Sequence, residues 1–338
     1  MNFYKDSGLG SVIMTGLPGT AMDAQTRLLI EKYGVCNFIL FTRNCRDGPH
    51  ALSRLCNDIR RTCARQGLDP LIAIDQEGGP VRRLRPPLFP DIPSAKDIAT
   101  STDPGHTIKE LAQKTADMLN SMGINMNLAP VLDLCLQAEK NVLKGRCLGS
   151  QPETVAKLGR IYIKTIQERG IVATAKHFPG IGRVEVDPHL DRPVVDSNQE
   201  ELSNDLIPFV HAIKAGVKAM MTSHVVFTSV EPSRPATFSK KIAHELLRKE
   251  LGFKGLLLSD DLEMKGITVH DSIGQAATEG FAAGHDLLLI CNHQDKVREA
   301  LESLRQAIEH GRISSKRLNE SISRIHRVVL KEDTKSPS

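Results

Sequence analysis

The chain predicts an α/β fold, a (β/α)8 TIM barrel built as a single domain. Three observations carry this. Eight short apolar runs are spread along the sequence, amphipathic stretches separate them in alternation, and the GxGxxG fingerprint of a doubly wound sheet is missing after the first run. GLPGT is only a weak echo of that fingerprint.

The runs, in order, are SVIMTG, CNFILFT, PLIAID, NMNLAPV, IVATAK, KAMMTSH, GLLLSD and DLLLIC. Each is rich in Ile, Leu, Val or Met and does not alternate with polar residues. Such runs suit strands buried on both faces, as in a parallel sheet. The helix candidates fall between them. DAQTRLLIEKYG follows the first run, and HALSRLCNDIRRTCARQG follows the second. HTIKELAQKTADMLNSMG precedes the fourth run, and PETVAKLGRIYIKTIQERG the fifth. QEELSNDLIPFVHAIKAG, KKIAHELLRKELG and SIGQAATEGFAAG precede the last three. Most end in glycine, a good stop signal. HQDKVREALESLRQAIEHG and SSKRLNESISRIHRVVLK close the chain, the second starting on a serine cap. Residues 1–330 are expected to form the barrel, and the tail KEDTKSPS (331–338) to be disordered.

Composition narrows the function classes. The net charge of +4 is small for 338 residues, and no dense Lys/Arg run with interleaved aromatics suggests nucleic acid. RKELGFK and RQAIEHGRISSKR mix signs or fall at helix ends, so they read as solvated faces. No window approaches about 18 uncharged apolar residues, so no membrane partner is expected. The seven cysteines are odd in number and form no CxxC pair. With no basic region followed by an apolar run at the N-terminus, this fits reduced thiols and a cytoplasmic protein.

A barrel places its chemistry at the C-terminal ends of its strands. The third run ends in Asp75 and QEGG; Pro130 and Asp133 follow the fourth. Lys176 and His177 end the fifth, Ser223 and His224 the sixth, Asp260 and Asp261 the seventh, and Cys291 and Asn292 the eighth. One such residue is usually a helix cap, but so many at one rim point to a polar pocket. Glycoside hydrolysis, metal-assisted hydrolysis and a Schiff-base lyase on Lys176 all fit such a rim. The first strand offers no HxH pair for a metal. Lys176, beside His177 and several carboxylates, is expected to stay charged, which suits hydrogen bonding to hydroxyls. The stretch KHFPGIGRVEVDPHLDRP (176–193), with two glycines and a proline at its start, reads as a loop without regular structure.

Four ordered motifs then become specific: IDQEGGPVRRL (74–84), APVLDL (129–134), KHFPGIG with DPH (176–189) and LGFKGLLLSDDLEMKG (251–266). Together they resemble glycoside hydrolase family 3, most closely its single-domain β-N-acetylglucosaminidases of cell-wall recycling. The resemblance implies Asp260 as nucleophile, His189 as general acid/base and Asp187 as its partner. Asp261 should point elsewhere. Sugar hydroxyls should be held by Asp75, Arg83, Arg146, Lys176 and His177. It also implies no cofactor, no metal and a small glycoside or muropeptide-type substrate. The expected activity is that of a retaining exo-β-N-acetylglucosaminidase. Phosphorolysis of the same substrates, or another β-glycosidase activity of the family, is the alternative. A substrate-assisted hexosaminidase, a metal-dependent hydrolase and a non-catalytic sugar-binding protein are further ones.

The chemistry is coherent. A histidine with an ordinary pKa of about 6.5 can give and take a proton near neutrality, and an adjacent carboxylate can orient it. Glu77, followed by two glycines, reads as structural; of the adjacent Arg82 and Arg83, only Arg83 should face the sugar. His177 could alternatively bond a backbone carbonyl, and His224 is ambiguous. Departures from the family pattern are Pro80, Leu148, Ile181, Pro188 and Glu263. Pro188 should stiffen the loop carrying His189. Ile181 and Leu148 put the outer wall of the sugar pocket in question. Without Trp and with only three Tyr, stacking platforms for a long glycan are scarce, which favours a short substrate.

Overall fold

Each of the eight apolar runs becomes a strand whose residues are buried nearly throughout. The computed structural model describes residues 3–136, 143–187, 192–264 and 272–330, without the side chains of 185–187 and 192. The barrel strands are β1 (Ile13–Gly16), β2 (Asn37–Leu40), β3 (Ile72–Ile74) and β4 (Met126–Asn127). β5 (Val172–Phe178), β6 (Ala219–Thr222), β7 (Leu256–Asp261) and β8 (Leu287–Ile290) complete it. All pair in parallel and in chain order, and β1 closes on β8 with Met14 opposite Leu289. The closed sheet leaves no exposed edge.

Alternate residues of one strand enter two different packed clusters. Phe38, Leu40, Ile72, Ile74, Met220 and Leu257 pack with the helical layer. Their neighbours Ile39, Ala73, Met221 and Leu258 belong to the second cluster. The period of two puts successive side chains on opposite faces, and both faces are apolar.

The predicted helices form the outer layer. They are α1 (Ala24–Tyr33), α2 (Gly48–Ala64), α3 (Pro104–Ser121), α4 (Pro152–Glu168) and α5 (Gln199–Lys214). α6 (Lys241–Glu250), α7 (Ile273–Ala283), α8 (Gln294–Glu309) and α9 (Ser315–Val329) follow. Side-chain caps start several of them: Asp23 for α1, Asn198 for α5, and Ser314 for α9 as expected.

A buried ion cluster fastens α9 to the barrel. The carboxylate of Asp286, just before β8, accepts from Arg248 at 2.6 Å, Ser321 at 2.7 Å, Arg324 at 2.9 Å and the Leu257 N–H at 3.0 Å. It is fully buried, and the arginines hold its pKa below the ordinary value against the opposing effect of burial.

One expectation needs correction. The stretch after β5 is not devoid of regular structure: Glu185–Asp187 pairs antiparallel with Arg192–Val195. That second strand runs parallel to Val226–Phe227, which pairs in turn with Glu231–Pro235. The loops after β5 and β6 thus build a small sheet over one side of the barrel mouth. Two of its three pairings are local hairpins, but the one that joins them, Val194 opposite Val226, links residues over 30 positions apart, which local composition does not reveal.

Candidate active site

The rim at the C-terminal ends of the strands carries a continuous chain of alternating charges. Arg83 Nη2 lies 2.9 Å from Asp75 Oδ2, and Lys176 Nζ lies 2.9 Å from Asp75 Oδ1. Lys176 Nζ also lies 2.7 Å from Glu77 Oε1. Glu77 in turn takes two parallel hydrogen bonds from Arg146, from Nε and Nη2, each 2.8 Å. Such a fork fixes a guanidinium in direction as well as position.

Local sequence explains the convergence. Asp75 and Glu77 flank Gln76 just after β3, and Gln76 Oε1 accepts the N–H groups of Arg83 and Leu84. This folds the chain back and sets Arg83 beside Asp75. Gly78 and Gly79 make the turn with positive φ; a Cβ on Gly78 would come within 2.3 Å of the Pro93 carbonyl. The adjacent Arg82 turns away to Asp91 at 2.8 Å. Of the two arginines, only Arg83 faces the charge chain, as the sequence suggested.

The electrostatics follow from burial opposed by pairing. Burial alone would raise the Asp75 pKa, but Lys176 and Arg83 outweigh it and bring it down to about 2. Glu77 is likewise depressed against its burial by Lys176 and Arg146. For Lys176, burial works against the charge, yet Asp75 and Glu77 raise its pKa, so the ammonium stays protonated. This is the charged lysine expected from the sequence, and it does not suit a Schiff-base nucleophile.

His177 is held by a group that the sequence reading left unassigned. Asp133 is fully buried and accepts from His177 Nδ1 at 2.7 Å, from the His177 N–H, and from the Ile181 N–H at 2.8 Å. An ionised carboxylate only accepts, so the ring donates from Nδ1 and keeps Nε2 for another partner. The partner of His177 is therefore a carboxylate and not a backbone carbonyl.

At β7 the register slips between Leu258 and Asp261. Ser259 Oγ accepts the Leu289 N–H across the slip, at 3.1 Å. Asp261 turns towards β8 and accepts from the Cys291 N–H at 3.2 Å. Burial pushes its pKa up to about 6. Asp260 stays at the half-buried mouth. Among the described residues, its carboxylate accepts only the Asp261 N–H, at 2.8 Å, and meets no cation. His224 uses both ring nitrogens, one on Thr237 Oγ1 and the other on the Asp261 carbonyl. It buttresses this corner.

With this geometry in view, the comparisons are decisive. The family description "glycosyl hydrolase family 3 N terminal domain" matches residues 7–328. The chain belongs to glycosyl hydrolase family 3. Among family relatives, the β-hexosaminidase of Nitrosomonas eutropha is 32% identical, covering 92% of this chain and 90% of its own length. That of Photobacterium profundum is 35% identical over 87% of this chain and 86% of its own. A solved family 3 β-N-acetylglucosaminidase from a Paenibacillus species superposes with a TM-score of 0.90 at 34% identity. The match covers all of this chain but 64% of that longer protein. The β-N-acetylhexosaminidase of Beutenbergia cavernae matches with a TM-score of 0.86 at 27% identity, over 96% of this chain and 98% of that one.

As a family 3 glycoside hydrolase, the chain gathers Asp75, Arg83, Arg146, Lys176 and His177 at one rim with Asp260. Asp187 lies in the strand Glu185–Asp187, but its side chain, and His189 and Pro188 entirely, fall outside the described residues. Ile181 and Leu148 are both buried, and Leu148 lines a small cavity together with Glu77 and Arg146. Glu263 accepts from the Asn292 N–H and from His293 and Lys296, tying the β7 loop to the start of α8. Sequence reasoning gave Glu77 a structural role without finding its charged partners, and it left Asp133 without a role. Their signal was an acidic residue inside otherwise apolar or glycine-flanked motifs, EGG and VLDL.

Proposed function

We propose that the protein is a retaining exo-β-N-acetylglucosaminidase, cleaving terminal β-linked N-acetylglucosamine through a glycosyl-aspartate. The observation that carries the proposal is Asp260, a strand-end carboxylate that meets no cation among the described residues, on the same rim as the paired charges of Asp75, Lys176 and Glu77. A nucleophile needs that freedom; a binding carboxylate such as Asp75 is already paired.

In the first step, protonated His189 gives its proton to the glycosidic oxygen while Asp260 attacks the anomeric carbon. The aglycone leaves and the sugar stays bonded to Asp260. Neutral His189 then takes a proton from water, whose oxygen displaces Asp260 and releases the sugar with its configuration retained. Asp187 orients the His189 ring. Asp75, Arg83, Arg146, Lys176 and His177 hold the sugar hydroxyls, with His177 using Nε2. That relatives are β-hexosaminidases and a β-N-acetylglucosaminidase supports the acetamido sugar. The scarcity of aromatic platforms supports a short, muropeptide-type substrate. Seven free thiols suit a cytoplasmic setting, and among the described residues no helix is long and apolar enough to cross a membrane.

The test is hydrolysis of aryl β-N-acetylglucosaminide beside aryl β-glucoside, by wild type and Asp260→Ala, in phosphate and in phosphate-free buffer. Asp260-dependent release of free N-acetylglucosamine supports the proposal. Sugar 1-phosphate as the main product would replace hydrolysis by phosphorolysis. Release by Asp260→Ala at the wild-type rate would remove Asp260 as nucleophile.

A further inference from the structure

The opposite end of the barrel carries a cleft that the glycosidase reading does not use. It lies where chain enters β6 and β7, between the C-terminal ends of α4 and α5 and the flank of α9, with a volume of about 850 Å³. Six cationic side chains line it, Lys164, Lys214, Lys218, Lys254, Arg324 and Arg327, against the single acid Glu168. Arg324 is neutralised by Asp286 at 2.9 Å and lies 3.8 Å from Glu320. The four lysines and Arg327 have no acidic partner among the described residues. Elsewhere on the surface, lysines do pair: Lys114 with Glu110, Lys249 with Glu245, Lys296 with Glu263.

Five cations without an ion pair among the described residues thus share one concavity with a single acid, Glu168, on a chain whose entire net charge is +4. A cleft lined by one sign of charge focuses its field and concentrates the opposite ion. Its volume falls within the range of small-molecule sites. A second, contiguous cleft of about 490 Å³ shares Arg324 and Arg327 and adds Lys316. The inner wall is apolar, with Val217, Phe253 and Val328 buried. The Phe253 ring is buried and lies against the Arg248 guanidinium, at 5.0 Å, so no aromatic face is open for stacking a nucleobase.

We propose that this basal cleft binds a compact, multiply charged anion of the oligophosphate class, recognised by charge and not by a base. The concavity, rather than a flat basic face, favours a small soluble anion over a membrane surface. The site is distinct from the sugar site, at the other end of the barrel.

Isothermal titration with sodium tripolyphosphate, at a fixed ionic strength of about 0.15 M, tests it. Wild type is expected to bind one equivalent saturably. Lys218→Glu/Lys254→Glu is expected to weaken binding at least tenfold, with an unchanged circular dichroism spectrum. Lys164→Glu/Lys214→Glu, on the exposed ends of α4 and α5, provides the same test if the first variant fails to fold. Asp260→Ala should bind as wild type does. ATP should bind no more than severalfold differently from tripolyphosphate. Absence of saturable binding, equal affinity in wild type and both charge-reversed variants, or ATP binding more than tenfold tighter would each overturn the proposal.

Discussion

The Lys176 ammonium lies 2.7 Å from the Glu77 carboxylate, and the two side chains are only 3% and 4% exposed. Glu77 also carries the Arg146 fork, so one carboxylate joins β5, the β3 loop and the chain after residue 142. Removing one partner of a buried ion pair leaves an uncompensated charge, which costs about 3 kcal/mol or more. Glu77→Gln should therefore lower stability by roughly that amount in urea denaturation. Because Lys176 keeps Asp75 and Arg146 loses its fork, KM for the glycoside should rise about tenfold or more, with kcat changed less. An unchanged KM would mean that Glu77 does not set the sugar-binding cations.

Acid should open this network in a defined window. Asp75 titrates at about 2 in the folded chain, below an unfolded value of about 3.9. A depressed carboxyl stabilises fully above the unfolded pKa, and that stability is lost as pH falls through the folded one. Asp75 thus contributes about 2–3 kcal/mol at neutral pH, lost between about pH 4 and pH 2. Asp75→Asn should remove this acid-dependent part of the stability curve.

Asp261 has the opposite sign. Burial raises its folded pKa to about 6, so the native state holds the proton more tightly than the unfolded chain. Stability from this group falls as pH rises from about 4 to about 6. Asp261→Asn should flatten that descent, measured by denaturation across the same pH series. A steeper descent in the variant would contradict the burial-driven shift.

How much of this was legible before the structure depended on range. The eight strands were legible because burial on both faces writes a continuous apolar run into each. Asp75, Lys176 and Asp260 were legible because a barrel exposes its strand ends at one rim. Glu77 was read as merely structural because its partners come from residues 146 and 176, and no local pattern encodes a 2.7 Å approach across the barrel. Ile181 and Leu148 stand where the family resemblance leads one to expect a histidine and an aromatic, and the structure buries both side chains. The small sheet over the mouth escaped in part for the same reason as Glu77: its two hairpins are joined by a pairing between different loops.

The Asp286 cluster makes a stability prediction independent of the site. Its carboxylate is fully buried and satisfies Arg248, Arg324, Ser321 and the Leu257 N–H together. Asp286→Ala would strand these donors and leave buried guanidinium groups unpaired, at a cost of about 3–5 kcal/mol. A Tm close to wild type would show that α9 is held by its apolar face alone.

The neighbours Asp260 and Asp261 should separate sharply on mutation. Asp260 faces the mouth with a single backbone donor, so Asp260→Ala should leave the fold intact. It should lower kcat by roughly 10⁴-fold, and added azide should restore release of an activated aryl glycoside by supplying a small nucleophile in the cavity. Asp261 acts through the backbone it braces, by accepting the Glu263 and Cys291 N–H groups. Each such hydrogen bond is worth about 1 kcal/mol, so Asp261→Ala should cost roughly tenfold to thirtyfold in kcat and show no azide rescue. His189→Ala should slow substrates with poor leaving groups far more than activated ones, because only the former need a proton on the departing oxygen. Azide rescue in Asp261→Ala, with none in Asp260→Ala, would exchange the roles of the two carboxylates.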